Sequence, residues 1–138
     1  FLVTFAGALN VTGDGTAYTV PYATEIFDQN ADFDTGTFTF TAPVTGRYLL
    51  CASVGFYGLL VGHNDQRFVI VTSNRNYDHI DLFAAGANPF TQRSMYIVTL
   101  ADMDAADTAY VTLTVSGTTK VVDIENGIRT HFSGQLVA

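Results

Sequence analysis

Asp34-Thr35-Gly36-Thr37-Phe38-Thr39-Phe40-Thr41-Ala42-Pro43-Val44-Thr45-Gly46-Arg47-Tyr48 is the stretch that decides the fold class. Phe38 and Phe40 alternate with Thr37, Thr39 and Thr41. Successive side chains on a strand point to opposite faces, so this period of two predicts a strand with an aromatic face and a hydroxyl face. Pro43-Val44-Thr45-Gly46 reads as a turn, since Pro and Gly punctuate regular structure. Beyond it, Arg47 to Tyr57 is a long run with no charge after Arg47. Such a run is expected of a strand buried on both faces or held at a subunit contact.

The rest of the chain repeats this grammar. Thr12-Gly13-Asp14-Gly15-Thr16 is a turn that permits positive φ. Tyr18, Val20 and Tyr22 alternate with Thr19 and Pro21, a strand at an edge or ending there. Phe68 to Thr72, Tyr77 to Phe83, Met95 to Leu100, Ala109 to Val115 and Ile128 to Val137 supply five further strands. Ala101 to Ala109 reads as a loop with at most one helical turn. Thr occurs nineteen times and Val fourteen, whereas Glu occurs twice and Lys once. That balance suits a pleated surface and not a helical one. Nine or ten short strands in 138 residues predict one all-β domain, residues 1–138, built as a two-sheet sandwich of jelly-roll or immunoglobulin type. An immunoglobulin domain would ordinarily carry a Trp and a Cys pair. This chain has no Trp and a single Cys.

Composition removes several functions. Only 14% of residues are charged, against about 25% in an average soluble domain. The net charge is −7, hydrophobic residues make up 48%, and mean hydropathy is +0.23. Either uncharged polar residues cover the surface, or part of it is hidden against copies of the same chain. Eighteen aromatics argue against disorder. The six cations Arg47, Arg67, Arg75, Arg93, Lys120 and Arg129 are scattered, which excludes a basic track for nucleic acid. No uncharged stretch reaches the roughly 20 residues of a membrane-spanning helix. Cys51 has no second cysteine to pair with. The chain opens at Phe1, inside an apolar pattern and without Met, and is expected to be the C-terminal part of a longer protein.

The quoted stretch also resembles the signature of C1q-like globular heads. In that family a Gly and a Phe lead into Thr-Ala-Pro, then Gly, one variable residue and Tyr. The closing His131-Phe132-Ser133-Gly134-Gln135-Leu136-Val137 is similar to the family's final Phe-Ser-Gly-x-Leu strand. Between them, Leu100, Ala106-Asp107 and Tyr110-Val111-Thr112-Leu113 resemble the family's Leu, Gly-Asp and apolar strand, with Ala106 where Gly is usual. Phe5-Ala6 and Asn10-Val11-Thr12 fit the opening. The resemblance covers nearly the whole chain. It implies a ten-stranded jelly roll shared with the tumour-necrosis-factor superfamily, assembled as a compact homotrimer. The segments Thr24 to Asp28 and Thr72 to Tyr77 resemble bacterial and phage surface versions such as fibre tips.

Candidate sites follow from residue type. Asp102, Asp104 and Asp107 place three hard oxygen ligands in one loop, a candidate calcium site, and the resemblance adds calcium near the axis of some family trimers. An EF-hand is excluded, because its Gly and Glu positions are missing. No cofactor is required. No Gly-x-Ser-x-Gly elbow or other catalytic constellation is present, and the reading is non-enzymatic. His63, Asn64 and Asp65, with Asn74, Arg75 and Asn88, are the loop polars expected to face a ligand. Phe56 and Tyr57 are expected at the trimer contact. These readings converge on a trimeric binding domain at the tip of an extracellular or virion protein, with a cell-surface glycan or protein as its target and no membrane insertion. The rival is a purely structural module for trimerisation or capsid decoration.

Overall fold

The computed structural model describes residues 1–82 and 92–138. The described residues form thirteen strands and no helix. Strands β1 (Leu2–Phe5), β2 (Ala8–Thr12), β4 (Thr24–Phe27), β7 (Gly46–Tyr57), β10 (Gln92–Met103), β12 (Val122–Ile124) and β13 (Gly127–Leu136) build a seven-stranded sheet. Strands β3 (Ala17–Thr19), β5 (Phe33–Asp34), β6 (Thr39–Thr41), β8 (Asp65–Thr72), β9 (Asn76–Leu82) and β11 (Thr108–Ser116) build a six-stranded sheet. All strand pairings are antiparallel. The two-sheet, all-β reading holds. The number of strands exceeds the ten expected because β3, β5, β6 and β12 are fragments of two or three residues.

β7 is the spine of the larger sheet. β10 pairs with it along its whole length, from Gln92 opposite Tyr57 to Met103 opposite Gly46. On the other side β13 takes Tyr48 to Ser53, and β12 takes Phe56 and Tyr57. β10 therefore runs past Leu100 into the segment expected to be a loop. What remains there is a turn with Ala106 at φ 74°.

The quoted stretch carries the chain from one sheet to the other. β6 belongs to the smaller sheet and β7 to the larger, with Pro43 to Thr45 between them. The Tyr48 hydroxyl donates to Val44 O at 2.6 Å, which pins the turn onto the strand that follows it. The rings of Phe40 and Tyr48 meet edge to face at 5.4 Å. Phe1 stacks on Phe40 at 4.8 Å and meets Phe132 at 5.1 Å, and Tyr22 lies 5.9 Å from Phe132. The motif at residues 34–48 and the closing Phe-Ser-Gly segment thus meet in one aromatic cluster between the sheets. Each such buried ring contributes about 1.5–3 kcal/mol over its exposed state. Tyr22 is fully buried, and its hydroxyl donates to Ser53 O at 3.0 Å.

Phe38 departs from the strand expected of it. It lies in a turn at φ 60°, and the pleated alternation covers only Thr39 to Thr41. The cause is Asp34, whose Oδ1 accepts from Gly36 N at 2.7 Å and Thr37 N at 3.2 Å. An Asp side chain that bonds the backbone two and three residues on folds the chain into a turn before a strand can begin.

Candidate functional site

The alternation of β10 and β7 gives the larger sheet two unlike faces. Met95, Ile97, Ala101 and Met103 of β10 and Leu50, Ala52, Val54 and Phe56 of β7 are buried between the sheets. Phe56 is therefore an intrachain core residue and not a subunit contact. Its even position on β7 puts it on the inner side, whereas Tyr57 is 37% exposed. On the outer side of β10, Tyr96, Val98 and Leu100 are 61%, 69% and 53% exposed. The register sets them beside Ser53, Cys51 and Leu49 of β7, which face His131, Ser133 and Gln135 of β13. Leu2 continues the row from Ser133. Three adjacent cross-strand rows thus carry neither a carboxylate nor a guanidinium. Soluble monomers seldom leave a contiguous apolar sheet face open to water.

The sequence-predicted ligand residues fall at two ends of the sandwich, separated by the length of β8, about 25 Å at 3.3 Å per residue. At one end stand His63, Asn64 and Asp65. His63 is buried, contrary to the exposed loop position expected of it. Its Nδ1 accepts from Leu60 N at 2.8 Å and its Nε2 donates to Thr119 O at 3.2 Å. A backbone N–H can only donate, so Nδ1 carries no proton and the ring is neutral. Both nitrogens are occupied in joining two loops. The chain approaches so closely here that a Cβ on Gly13, at φ 132°, would sit 2.1 Å from Thr119 O and 2.8 Å from His63 Nε2. Asn64 is exposed, and Asp65 opens β8 half-buried.

At the other end Asn74 and Arg75 meet the acidic turn. Arg75 Nη2 pairs with Asp102 Oδ2 at 2.8 Å, both side chains more than half exposed. Asn74 Nδ2 donates to Asp102 O at 2.9 Å and to Asp107 Oδ2 at 3.0 Å. Asp107 Oδ2 also accepts from Asp104 N at 2.8 Å. The carboxylates of Asp102 and Asp107 are thus engaged by an arginine, an amide and the turn's own backbone. Among the described residues no three His, Cys, Asp or Glu side chains gather as a metal site would require. The acidic triad forms a hydrogen-bonded turn. Asn88 lies outside the described residues.

Ser53 and His131 also touch, with Ser53 Oγ 2.7 Å from His131 Nδ1. The same Nδ1 lies 2.8 Å from Ile128 O, and Ser53 Oγ donates to Arg129 O at 2.7 Å. Since a carbonyl only accepts, Nδ1 carries the proton and cannot act as base toward Ser53.

A third feature escaped sequence reasoning. At the Tyr57 end of the outer face, a groove of about 700 Å³ is lined by Tyr57, Glu125, Asn126, Arg129, Leu9 and Ile128. The Glu125 carboxylate lies over Gly55, where a Cβ would come within 2.8 Å of Oε2. Gln92 Nε2 donates to Glu125 Oε1, and Arg129 Nη1 approaches Oε2 at 3.5 Å. Only the pairing register brings residues 57 and 125 together, and nothing in their local sequences announces it.

No family model matches the chain, and no curated protein matches it. Among solved structures, the globular domain of zebrafish complement 1qA protein matches with a TM-score of 0.67 at 16% identity, covering 100% of this chain and 96% of that one. The likeness shows that this chain has the C1q-like sandwich fold.

Proposed function

We propose that the chain is a trimeric recognition domain of the C1q and tumour-necrosis-factor type, carried at the tip of an extracellular or virion-surface protein and acting by binding rather than catalysis. The observation that carries this reading is the uncharged outer face formed by Tyr96, Val98 and Leu100 with Leu49 and Cys51. A chain with 14% charged residues that leaves such a face open has a reason to cover it with its own kind. Three copies would hide the uncharged rows and turn the loops at both ends outward. Three weak contacts made together then gain about 10²–10⁴ in avidity over one. The target is a glycan or protein on a cell surface, met by exposed polar groups at the ends of the sandwich. No helix among the described residues is long and apolar enough to cross a membrane.

The test is substitution on that face. Val98→Glu and Leu100→Glu should leave the fold intact, because both side chains are more than half exposed within one chain. Surface changes of this kind alter folding stability by about 0.5 kcal/mol or less. They should reduce the mass in sedimentation from three chains to one. A mass that does not respond to either change contradicts the proposed contact.

A further inference from the structure

We infer that the groove between Tyr57 and Arg129 is a binding site for a neutral sugar ring. The inference rests on the recognition reading above and names the site and ligand class that reading leaves open. About 700 Å³ lies within the range of small-molecule sites, which pair apolar walls with a few placed polar groups. The walls here are of both kinds. Leu9 and Ile128 are 68% and 60% exposed, and Tyr57 adds a partly exposed ring. Between them stand an acceptor, Glu125, and two donors, Arg129 and Asn126. The Tyr57 hydroxyl and the Asn126 carboxamide have no hydrogen-bond partner among the described residues.

The ligand class follows from these groups. A pyranose has one apolar face of C–H bonds and a rim of hydroxyls that both donate and accept. It needs an aromatic or aliphatic wall, together with a carboxylate and amide or guanidinium donors within one groove. Charge argues for a neutral ring. Glu125 and Arg129 offset each other at 3.5 Å, leaving the groove no net sign, and the chain as a whole carries −7, which repels an anion.

The experiment titrates the full isotope-labelled chain with methyl α-D-mannopyranoside, methyl β-D-galactopyranoside and N-acetyl-D-glucosamine. Each is taken to about 50 mM, enough to reveal millimolar dissociation constants, and backbone amide resonances are followed. At least one sugar should shift the amides of Tyr57, Glu125, Asn126 and Arg129 and leave Asn74 and Asp107 in place. Tyr57→Ala, Glu125→Gln and Arg129→Ala should each weaken binding by about tenfold or more. Arg129 is 65% exposed, so its variant folds even if the other two do not. Failure of all three sugars to shift the groove overturns the inference, as does a shift confined to the Asn74 end or one that survives all three substitutions. Light scattering on the same samples separates the two claims. A trimer that ignores the sugars overturns the groove alone, and a monomer that binds them overturns the trimer alone.

Discussion

Ala106 shows at the scale of one residue how sequence and structure meet. It stands where the resembling family has Gly, and it adopts φ 74°, a region that L side chains enter at a cost. The position is held by its neighbours, because Ala106 N donates to Ala42 O and Asp107 O accepts from Ala42 N, both at 2.8 Å. Ala106→Gly should therefore stabilise the fold by about 1 kcal/mol, read as a rise in the thermal midpoint, and an unchanged or lower midpoint would refute the strain. His63 is the opposite case. His63→Ala removes both ring bonds and leaves Leu60 N without a partner, while Thr119 O keeps its bond from Val121 N at 2.9 Å. Denaturant titration should show a loss of about 2 kcal/mol, since an orphaned buried group costs about 1–3 kcal/mol. The sequence placed His63 among exposed loop polars because His-Asn-Asp-Gln after a glycine looks solvated. Only the crossing of loops 58–64 and 117–121 makes it internal.

At the scale of an element, Asp34 organises the turn that opens the quoted stretch. Bonds from the backbone N–H groups of Gly36 and Thr37 hold its carboxyl below its ordinary 3.8, as bonding to Thr16 does for Asp14. A group whose pKa falls on folding stabilises above its unfolded value, and loses that contribution as pH drops through the folded value. Stability measured by denaturant at stepped pH should hold above about pH 4 and decline below 3.8, and Asp34→Asn should flatten part of that decline. An identical acid limb in the variant would rule the turn out as its source. Burial raises the Tyr22 hydroxyl well above 10.0, so the same titration should show a second decline as pH rises beyond 10.0. Long strands were legible at this scale. β7, β8, β11 and β13 all fall within or near the runs read from the sequence. Phe38 was misread because Phe-Thr-Phe-Thr alternates equally well in a turn that merely precedes a strand. The end of β10 was misread because Ala, Met and Asp, weak strand formers, are carried there by pairing with Gly46 to Tyr48.

At the scale of the whole molecule, the low charge fraction becomes specific. Part of it is the Thr and Ser that face outward from strands. The rest is the apolar face of the larger sheet, whose residues come from three strands and so form no contiguous run in the sequence. The sequence suggested Arg47 to Tyr57 for a subunit contact, and the structure divides that strand. Its even positions fill the core, and its odd positions Leu49 and Cys51 lie on the outer face. Candidate ligand residues chosen for polarity were found at two ends. The groove, made from residues 6–9, 57 and 124–129, could be seen only once β12 and β13 were laid against β7. Assembly of three chains would carry a net charge of −21, three times −7, so weaker association is expected at low ionic strength than at physiological salt, where repulsion is screened.

If copies of the same chain cover the rows of Tyr96, Val98 and Leu100 on the seven-stranded sheet, leaving the Tyr57 end open, the chain is a stable trimer in solution. Multi-angle light scattering at physiological salt gives the mass of the chain in solution. The expected mass is about three times 14.9 kDa, stable on dilution. A mass of 14.9 kDa at every concentration would contradict it.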